Sequence, residues 1–365
     1  METIIDHFAL SPSRKLLVKD RFLHYDWCIK MLIKRKLLLL VFAVLTSSSV
    51  MIAQQQPLSA EQYFELGAEA ARSGRFDEAI SNFSRALVLA PRMIEAFNGR
   101  GAVYTRLQLF ENAEADFTEA IRINGKYAVA YYNRGISFGA RGLDEKALEE
   151  YNHAIRLNPD YFEAYLNRGA LYGKQLRYDL AIADYSKAVY VNRQYTTAYY
   201  NRGVVYTKLE KGDLAIADFN DAIRISPRHF RALVNRGGIY FKQKKYDLAA
   251  ADLDLAISIN PEFSQAFYNR GILHSQRADL NAAIRDYTTA ILHAPKYADA
   301  YYNRGLTYLR QGNSPSAIAD LTKVVELDAK YSNAFALRAM AHCSSGQTEL
   351  ARSDEEAAIA LGGAL

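Results

Sequence analysis

From residue 60 onward, apolar residues recur every three or four positions in short blocks, the spacing that lays them along one face of a helix. Residues 198–206 (AYYNRGVVY) and 213–225 (DLAIADFNDAIRI) form one such pair of blocks. Proline follows the second block at Pro91, Pro159, Pro227, Pro261 and Pro295, where it ends one helix and leads into the next pair. The pattern predicts an all-α protein built from paired amphipathic helices.

The pairs repeat with a fixed period, the mark of a stacked array. Glycine stands at Gly67, Gly101, Gly135, Gly169, Gly203, Gly237, Gly271 and Gly305, always 34 residues apart, with Ala339 in the ninth place. Twelve residues after each comes an alanine (Ala79, Ala113, Ala147, Ala181, Ala215, Ala249, Ala283, Ala317, Ala351). Seven further on alanine returns, except at Val324. Nine units fill 60–365. Small residues at these places let two helices approach closely, and Tyr104, Tyr172, Tyr206, Tyr240 and Tyr308 fill the spaces beside them.

This arrangement, aromatic–x–x–x–Gly–x–x–Tyr followed by Ala, aromatic, Ala and Pro, resembles the tetratricopeptide repeat. The resemblance covers all of 60–365, and nine copies in phase make it specific. It implies a right-handed superhelical solenoid of antiparallel helix pairs, with first helices lining a concave groove and second helices on the convex back. It also implies a protein that binds other proteins.

Two features recur beyond the basic pattern. Arginine precedes the glycine place in repeats two to nine: Arg100, Arg134, Arg168, Arg202, Arg236, Arg270, Arg304 and Arg338. Sixteen residues later stands an acid each time: Asp116, Glu150, Asp184, Asp218, Asp252, Asp286, Asp320 and Asp354. Repeat one has Leu66 and Asn82 instead and so lacks both partners together, which favours structural ion pairs within each repeat. Breaking a buried pair of this kind costs about 3–5 kcal/mol. In the last repeat Glu355 occupies the aromatic place, and Asp354, Glu355 and Glu356 give the second helix the polar character that a solenoid end requires.

The second feature is asparagine two places before the glycine: Asn133, Asn167, Asn201, Asn235, Asn269 and Asn303. An amide offers both donor and acceptor, and the family resemblance places this row on the concave face, where it would pair with the backbone of an extended peptide. Tyr132, Tyr200, Tyr268 and Tyr302 precede asparagines, and Ile136, Val204, Ile272 and Leu306 lie one turn on. Lys174, Lys208 and Lys242 follow on roughly the same helix face and would favour acidic partner segments. Duplication of one unit would leave the same asparagine row, and each amide could equally bond to the neighbouring helix.

Ahead of the array, composition changes. Lys34, Arg35 and Lys36 precede the apolar run Leu37–Leu45, and small residues lead to Ala53, the layout of a secretory leader. The expected division is an unassigned upstream segment at 1–30, with Met31 as an alternative start to Met1. A leader at 31–53 and a linker at 54–59 follow. Cleavage would release an exported, periplasmic or extracellular chain from Gln54; the alternative is a membrane anchor at 37–53. A leader cut at Ala53 would also remove Trp27 and Cys28, leaving Cys343 as the one thiol.

Charge narrows the partners. The formal net charge is +5, but residues 1–53 hold eight of the Lys/Arg and four of the Asp/Glu, so the remainder is nearly neutral at +1. That balance gives no electrostatic footprint for nucleic acid. Two cysteines and seven histidines fall in no metal-ligand spacing, so no metal or cofactor is expected. His274 and His342 take a place used elsewhere by tyrosine and read as packing residues. No G-x-S-x-G, P-loop or HExxH motif occurs. The reading is a non-catalytic interaction scaffold for extended segments. Alternatives are an accessory or targeting subunit of a separately encoded envelope enzyme or assembly, and a self-associating structural protein.

Overall fold

The computed structural model describes residues 57–362, and the leader, anchor and cleavage expectations on 1–53 lie outside them. The chain divides into two compact units, one ending at Pro91 and one beginning at Arg92.

In the first unit, α1 (Ala60–Arg72) packs against α2 (Phe76–Leu89). Ser59 starts α1 with a capping box: its hydroxyl accepts from the Gln62 backbone N–H at 3.2 Å, and the Gln62 side-chain Oε1 accepts from the Ser59 backbone N–H at 2.8 Å. Gly67 faces the Phe83 ring, where an added Cβ would come within 2.7 Å. Leu66 is 39% exposed in the place that other repeats give to arginine, and Asn82 is buried in the place of the acid.

The second unit holds eight helix pairs, one per 34-residue repeat. Repeats two to five are α3 (Ile94–Arg106) with α4 (Phe110–Ile123), α5 (Ala128–Ala140) with α6 (Asp144–Leu157), α7 (Phe162–Lys174) with α8 (Tyr178–Val191), and α9 (Thr196–Lys208) with α10 (Gly212–Ile225). Repeats six to nine are α11 (Phe230–Lys242) with α12 (Tyr246–Ile259), α13 (Ser264–Gln276) with α14 (Leu280–His293), α15 (Ala298–Arg310) with α16 (Ser314–Leu327), and α17 (Ser332–Ser344) with α18 (Thr348–Ala360). No strand occurs among the described residues.

The periodic small residues explain the close packing. Ala113, Ala147, Ala181, Ala215, Ala249, Ala283 and Ala317 have no exposed surface, and neither do Ala96, Ala130, Ala164, Ala198, Ala232, Ala266, Ala300 and Ala334 at the starts of first helices. Each glycine faces the side chain sixteen residues on in its own second helix. A Cβ at Gly271 would sit 2.6 Å from the Tyr287 ring, and one at Gly203 would sit 2.8 Å from Phe219. The glycine therefore makes room for a side chain, a ring in six repeats and leucine at Leu253 and Leu321, a finer requirement than backbone approach alone.

Between the two helices of a repeat, one residue adopts left-handed backbone geometry. At Glu210 φ is +58°, and the following Lys211 N–H donates to the Tyr206 carbonyl at 2.9 Å, closing the last turn of α9. Glycine fills this place at Gly74, Gly142, Gly312 and Gly346, but Gln108, Leu176, Glu210, Lys244 and Ala278 do so in the five other repeats.

Candidate functional site

In the second unit the first helices converge. α3 approaches α5, α7 approaches α9, and the same holds along α9, α11, α13, α15 and α17, while no two second helices meet as extensively among the described residues. The first helices therefore line the inner side of a curved stack.

The asparagine row lies along these helices, half-buried throughout, and most of its amides are already engaged. Asn167, Asn235 and Asn303 donate to the hydroxyls of Tyr132, Tyr200 and Tyr268 in the preceding repeat at 3.0, 3.3 and 3.0 Å. Asn133 donates to Asn98 at 2.9 Å, Asn269 accepts from Gln265 at 2.9 Å, and Asn201 lies beside the Tyr185 hydroxyl. All but Asn269, whose partner Gln265 lies on its own helix, thus reach from one repeat to the preceding one. Capacity remains: a tyrosine hydroxyl that accepts from asparagine still has its own proton to donate, and an amide has a carbonyl oxygen and a second N–H, the latter already given to the Asp299 carbonyl at Asn303. Burial, and then the Glu163 carboxylate, push the Tyr132 hydroxyl up to about 12; burial and Asp299 do the same for Tyr268. Both stay neutral donors at ordinary pH.

The tyrosines follow an alternation that a single-repeat reading misses. Tyr132, Tyr200 and Tyr268 lie 4.8 Å, centroid to centroid, from the rings of Tyr161, His229 and Tyr297. In the intervening repeats Leu166 and Val234 take the tyrosine place, and Phe162 and Phe230 instead pack on Tyr195 and Phe263 at 4.8 and 4.9 Å. The signal was present as a two-repeat period in the aromatic residues. His229 also accepts from the Ala232 N–H at 3.2 Å at the start of α11, and burial lowers its pKa, keeping the ring neutral for that role. Tyr302 packs against Tyr331 with the rings tilted and their centroids 5.3 Å apart.

The three lysines at the ends of first helices differ in state. All three are exposed; Lys174 is paired with Asp144 at 2.6 Å, whereas Lys208 and Lys242 have no carboxylate within 4.0 Å among the described residues.

Arginine and acid meet within each of repeats two to nine. Arg168, Arg202, Arg236 and Arg270 grip Asp184, Asp218, Asp252 and Asp286 through two parallel hydrogen bonds each, at 2.6–2.9 Å. The bond to Asp218 holds the Arg202 pKa above its usual value. Pairing within the repeat is only half of the arrangement. The remaining guanidinium nitrogen reaches the preceding second helix, donating to Asn152, Ser186, Asn220 and Asp254 respectively at 2.5, 2.9, 2.5 and 2.7 Å. Each arginine therefore ties three helices together. Repeat three is the flawed rung: Arg134 makes a single 2.8 Å bond to Glu150, leaving Arg134 Nε and Glu150 Oε2 buried without partners.

Family models described as "Tetratricopeptide repeat" match residues 64–128 and 268–332, and again 162–195, 196–229 and 230–263; a "TPR repeat" model matches 137–175. The chain belongs to the tetratricopeptide repeat family. No curated protein matches this tetratricopeptide repeat chain. Among solved structures, a tetratricopeptide repeat protein from Parabacteroides merdae is 24% identical with a TM-score of 0.53, over 64% of this chain and 93% of that one. The APC/C hetero-tetramer Cut9-Hcn1 is 16% identical with a TM-score of 0.53, over 83% of this chain and 73% of that one. Pseudomonas aeruginosa pilF is 19% identical with a TM-score of 0.51, over 55% of this chain and 92% of that one. At these identities the likeness is one of fold: an all-α tetratricopeptide solenoid, a class that generally scaffolds protein interactions.

Proposed function

We propose that this protein binds extended segments of other proteins along the inner side of its first helices. The observation that supports the reading most is the row of half-buried asparagine and tyrosine side chains there, each with hydrogen-bonding capacity left after it has joined its neighbour. Such groups can pair with peptide backbone whatever the side chains, and aromatic anchors beside them supply apolar contact. Ile272 and Leu306 extend that surface between the tyrosines.

The test is photo-crosslinking in living cells from a benzophenone amino acid placed at Ile272 or Leu306, compared with one at the exposed outer residues Leu214 or Leu248. Adducts from the inner positions support the reading. Adducts only from the outer positions would place binding on the second helices and end it.

We also propose that residues 31–53 direct export, on the strength of the Lys34–Lys36 cluster followed by Leu37–Leu45. N-terminal sequencing of the protein recovered from fractionated cells tests it. A start at Gln54 fits removal of the leader, and an intact start in the cytosolic fraction would refute export.

A further inference from the structure

The basic side chains that end the first helices do not share one state. Lys174 is neutralised by Asp144, which opens the preceding second helix thirty residues earlier. Arg310 is held by the Ser275 hydroxyl at 2.8 Å and the Ser275 carbonyl at 3.2 Å. For Lys208 and Lys242 the residues in the Asp144 place are Tyr178 and Gly212, which carry no charge. Both lysines are exposed, and neither has a carboxylate within 4.0 Å among the described residues. Arg231, exposed near the other end of α11, adds a third positive charge.

The acids nearest to them lie off the first helices: Glu210 is exposed in the turn after Lys208, and Asp213 at the start of α10 accepts from the Gln243 amide beside Lys242 at 3.0 Å. α9, α11 and α13 contain no aspartate or glutamate at all. Their arginines before the periodic glycine, Arg202, Arg236 and Arg270, are taken up by the ion pairs to the second helices. The flanking first helices do carry acids, Glu163 on α7 and Asp299 on α15, so the positive stretch has two ends.

Within this stretch lies a glycine that the fold does not need. A Cβ built on Gly238 meets nothing within 4 Å, unlike the periodic glycines, which face a ring or, at Gly237 and Gly305, a leucine. Mid-helix glycine weakens a helix relative to alanine, and no neighbour in the protein requires the side chain to be missing. The half-buried Phe241 ring sits one turn further along α11.

We propose that α9 and α11 form a docking site for an acidic extended segment of another protein, with one carboxylate on Lys208, another on Lys242, and a bulky apolar side chain over Gly238. This inference rests on the reading of the inner side as the binding surface and names the chemistry that surface selects. Packed helices lie about 8–10 Å apart and an extended chain advances about 3.3–3.6 Å per residue, so acids two or three residues apart reach both lysines. The attraction is electrostatic and at the protein surface, so salt weakens it.

The experiment selects short random peptides displayed on phage against the full chain, then measures the selected peptides by fluorescence anisotropy. Proteins compared are the wild type, Lys208→Gln/Lys242→Gln, Gly238→Leu, and the inner-side control Ile272→Gln, with helicity and thermal midpoint checked for each. The expected result is enrichment of Asp and Glu beside a large apolar residue, with affinity about tenfold lower in the double lysine variant and lower again in Gly238→Leu. Raising salt should weaken the wild type in the same direction, a readout that needs no variant to fold. Peptides that are not acidic, or that bind the double lysine variant equally well, overturn this inference; if they still lose affinity to Ile272→Gln, the inner-side reading stands. Peptides indifferent to every inner-side substitution overturn both.

Discussion

Arginine at the place before the glycine acts as a three-helix tie, and its geometry depends on the length of the acid it meets. Aspartate presents both oxygens to the guanidinium at Asp184, Asp218, Asp252 and Asp286, whereas Glu150, one methylene longer, presents one. Leaving a buried polar atom unpaired costs about 1–3 kcal/mol. Glu150→Asp should therefore raise stability by about 1 kcal/mol, read as a higher urea midpoint with unchanged slope; a lower midpoint would contradict the rung geometry. The glycines make a second prediction at this scale. Alanine is favoured over glycine in a helix by about 1 kcal/mol, while overpacking costs about 1–3 kcal/mol. At Gly237 the nearest atoms to an added Cβ are 3.4 Å away, with Leu253 in the ring place, so Gly237→Ala should be neutral or stabilising. At Gly271 the Tyr287 ring stands at 2.6 Å, so Gly271→Ala should lower the thermal midpoint. The ninth repeat follows the same rule, with the buried Ala339 facing a place occupied by the exposed Glu355. The sixteen-residue spacings of arginine to acid and of glycine to ring were legible as sequence. The third contact of each arginine was not, because it crosses to a helix of the preceding repeat.

At the scale of the element, the turn joining the two helices of a repeat hides its demand from sequence. Five of these turns put a residue with a side chain into left-handed geometry, which costs roughly 1–2 kcal/mol for a non-glycine residue. Leu176 is 67% exposed there, so Leu176→Gly should relieve strain without losing packing and stabilise the protein by about 1 kcal/mol, measured by thermal unfolding. A fall in the midpoint would mean that Leu176 contributes through contacts instead. The last helix illustrates how an end is made. α18 carries Arg352 where α8, α10, α14 and α16 pack Ile182, Ile216, Ile284 and Ile318, and Glu355 where Tyr185, Phe219, Tyr287 and Leu321 are buried. Ile359 remains 57% exposed beside them. Restoring the apolar residues with Arg352→Ile and Glu355→Phe should create a sticky end. Sedimentation velocity over a concentration series should then show association absent from the wild type, and a monomeric variant would count against the capping role.

Across the whole molecule, tyrosine is the residue that couples pH to stability. Burial is the first cause that pushes Tyr132, Tyr185 and Tyr268 from 10.0 up to about 12. These folded values lie above the unfolded one, so the neutral ring contributes stability in full below pH 10.0 and loses it as pH rises toward about 12. The unfolded chain gives up the proton first and is favoured. Thermal midpoints followed by circular dichroism should therefore fall steeply between pH 10 and 12; a flat profile across that window would mean that the rings ionise without unfolding the chain.

The helix pairs, the 34-residue step, and the places of the small residues and of the arginine–acid couples were determined by sequence, because each depends on contacts within one repeat and leaves its own periodic mark. Only tertiary structure decided which polar groups are used up. The asparagine at each place before the glycine reads the same in six repeats, yet Asn167, Asn235 and Asn303 meet a tyrosine hydroxyl while Asn133 meets Asn98 and Asn269 meets Gln265. Lys174, Lys208 and Lys242 likewise read as one stripe, and only Lys174 finds a carboxylate. The reason is geometric. Gln265 sits four residues before Asn269 on the same helix, but the other partners lie thirty or thirty-five residues away in a neighbouring repeat, where a near-periodic sequence is free to vary, so what those side chains meet is set by the stacking of repeats and not by their own place in the period.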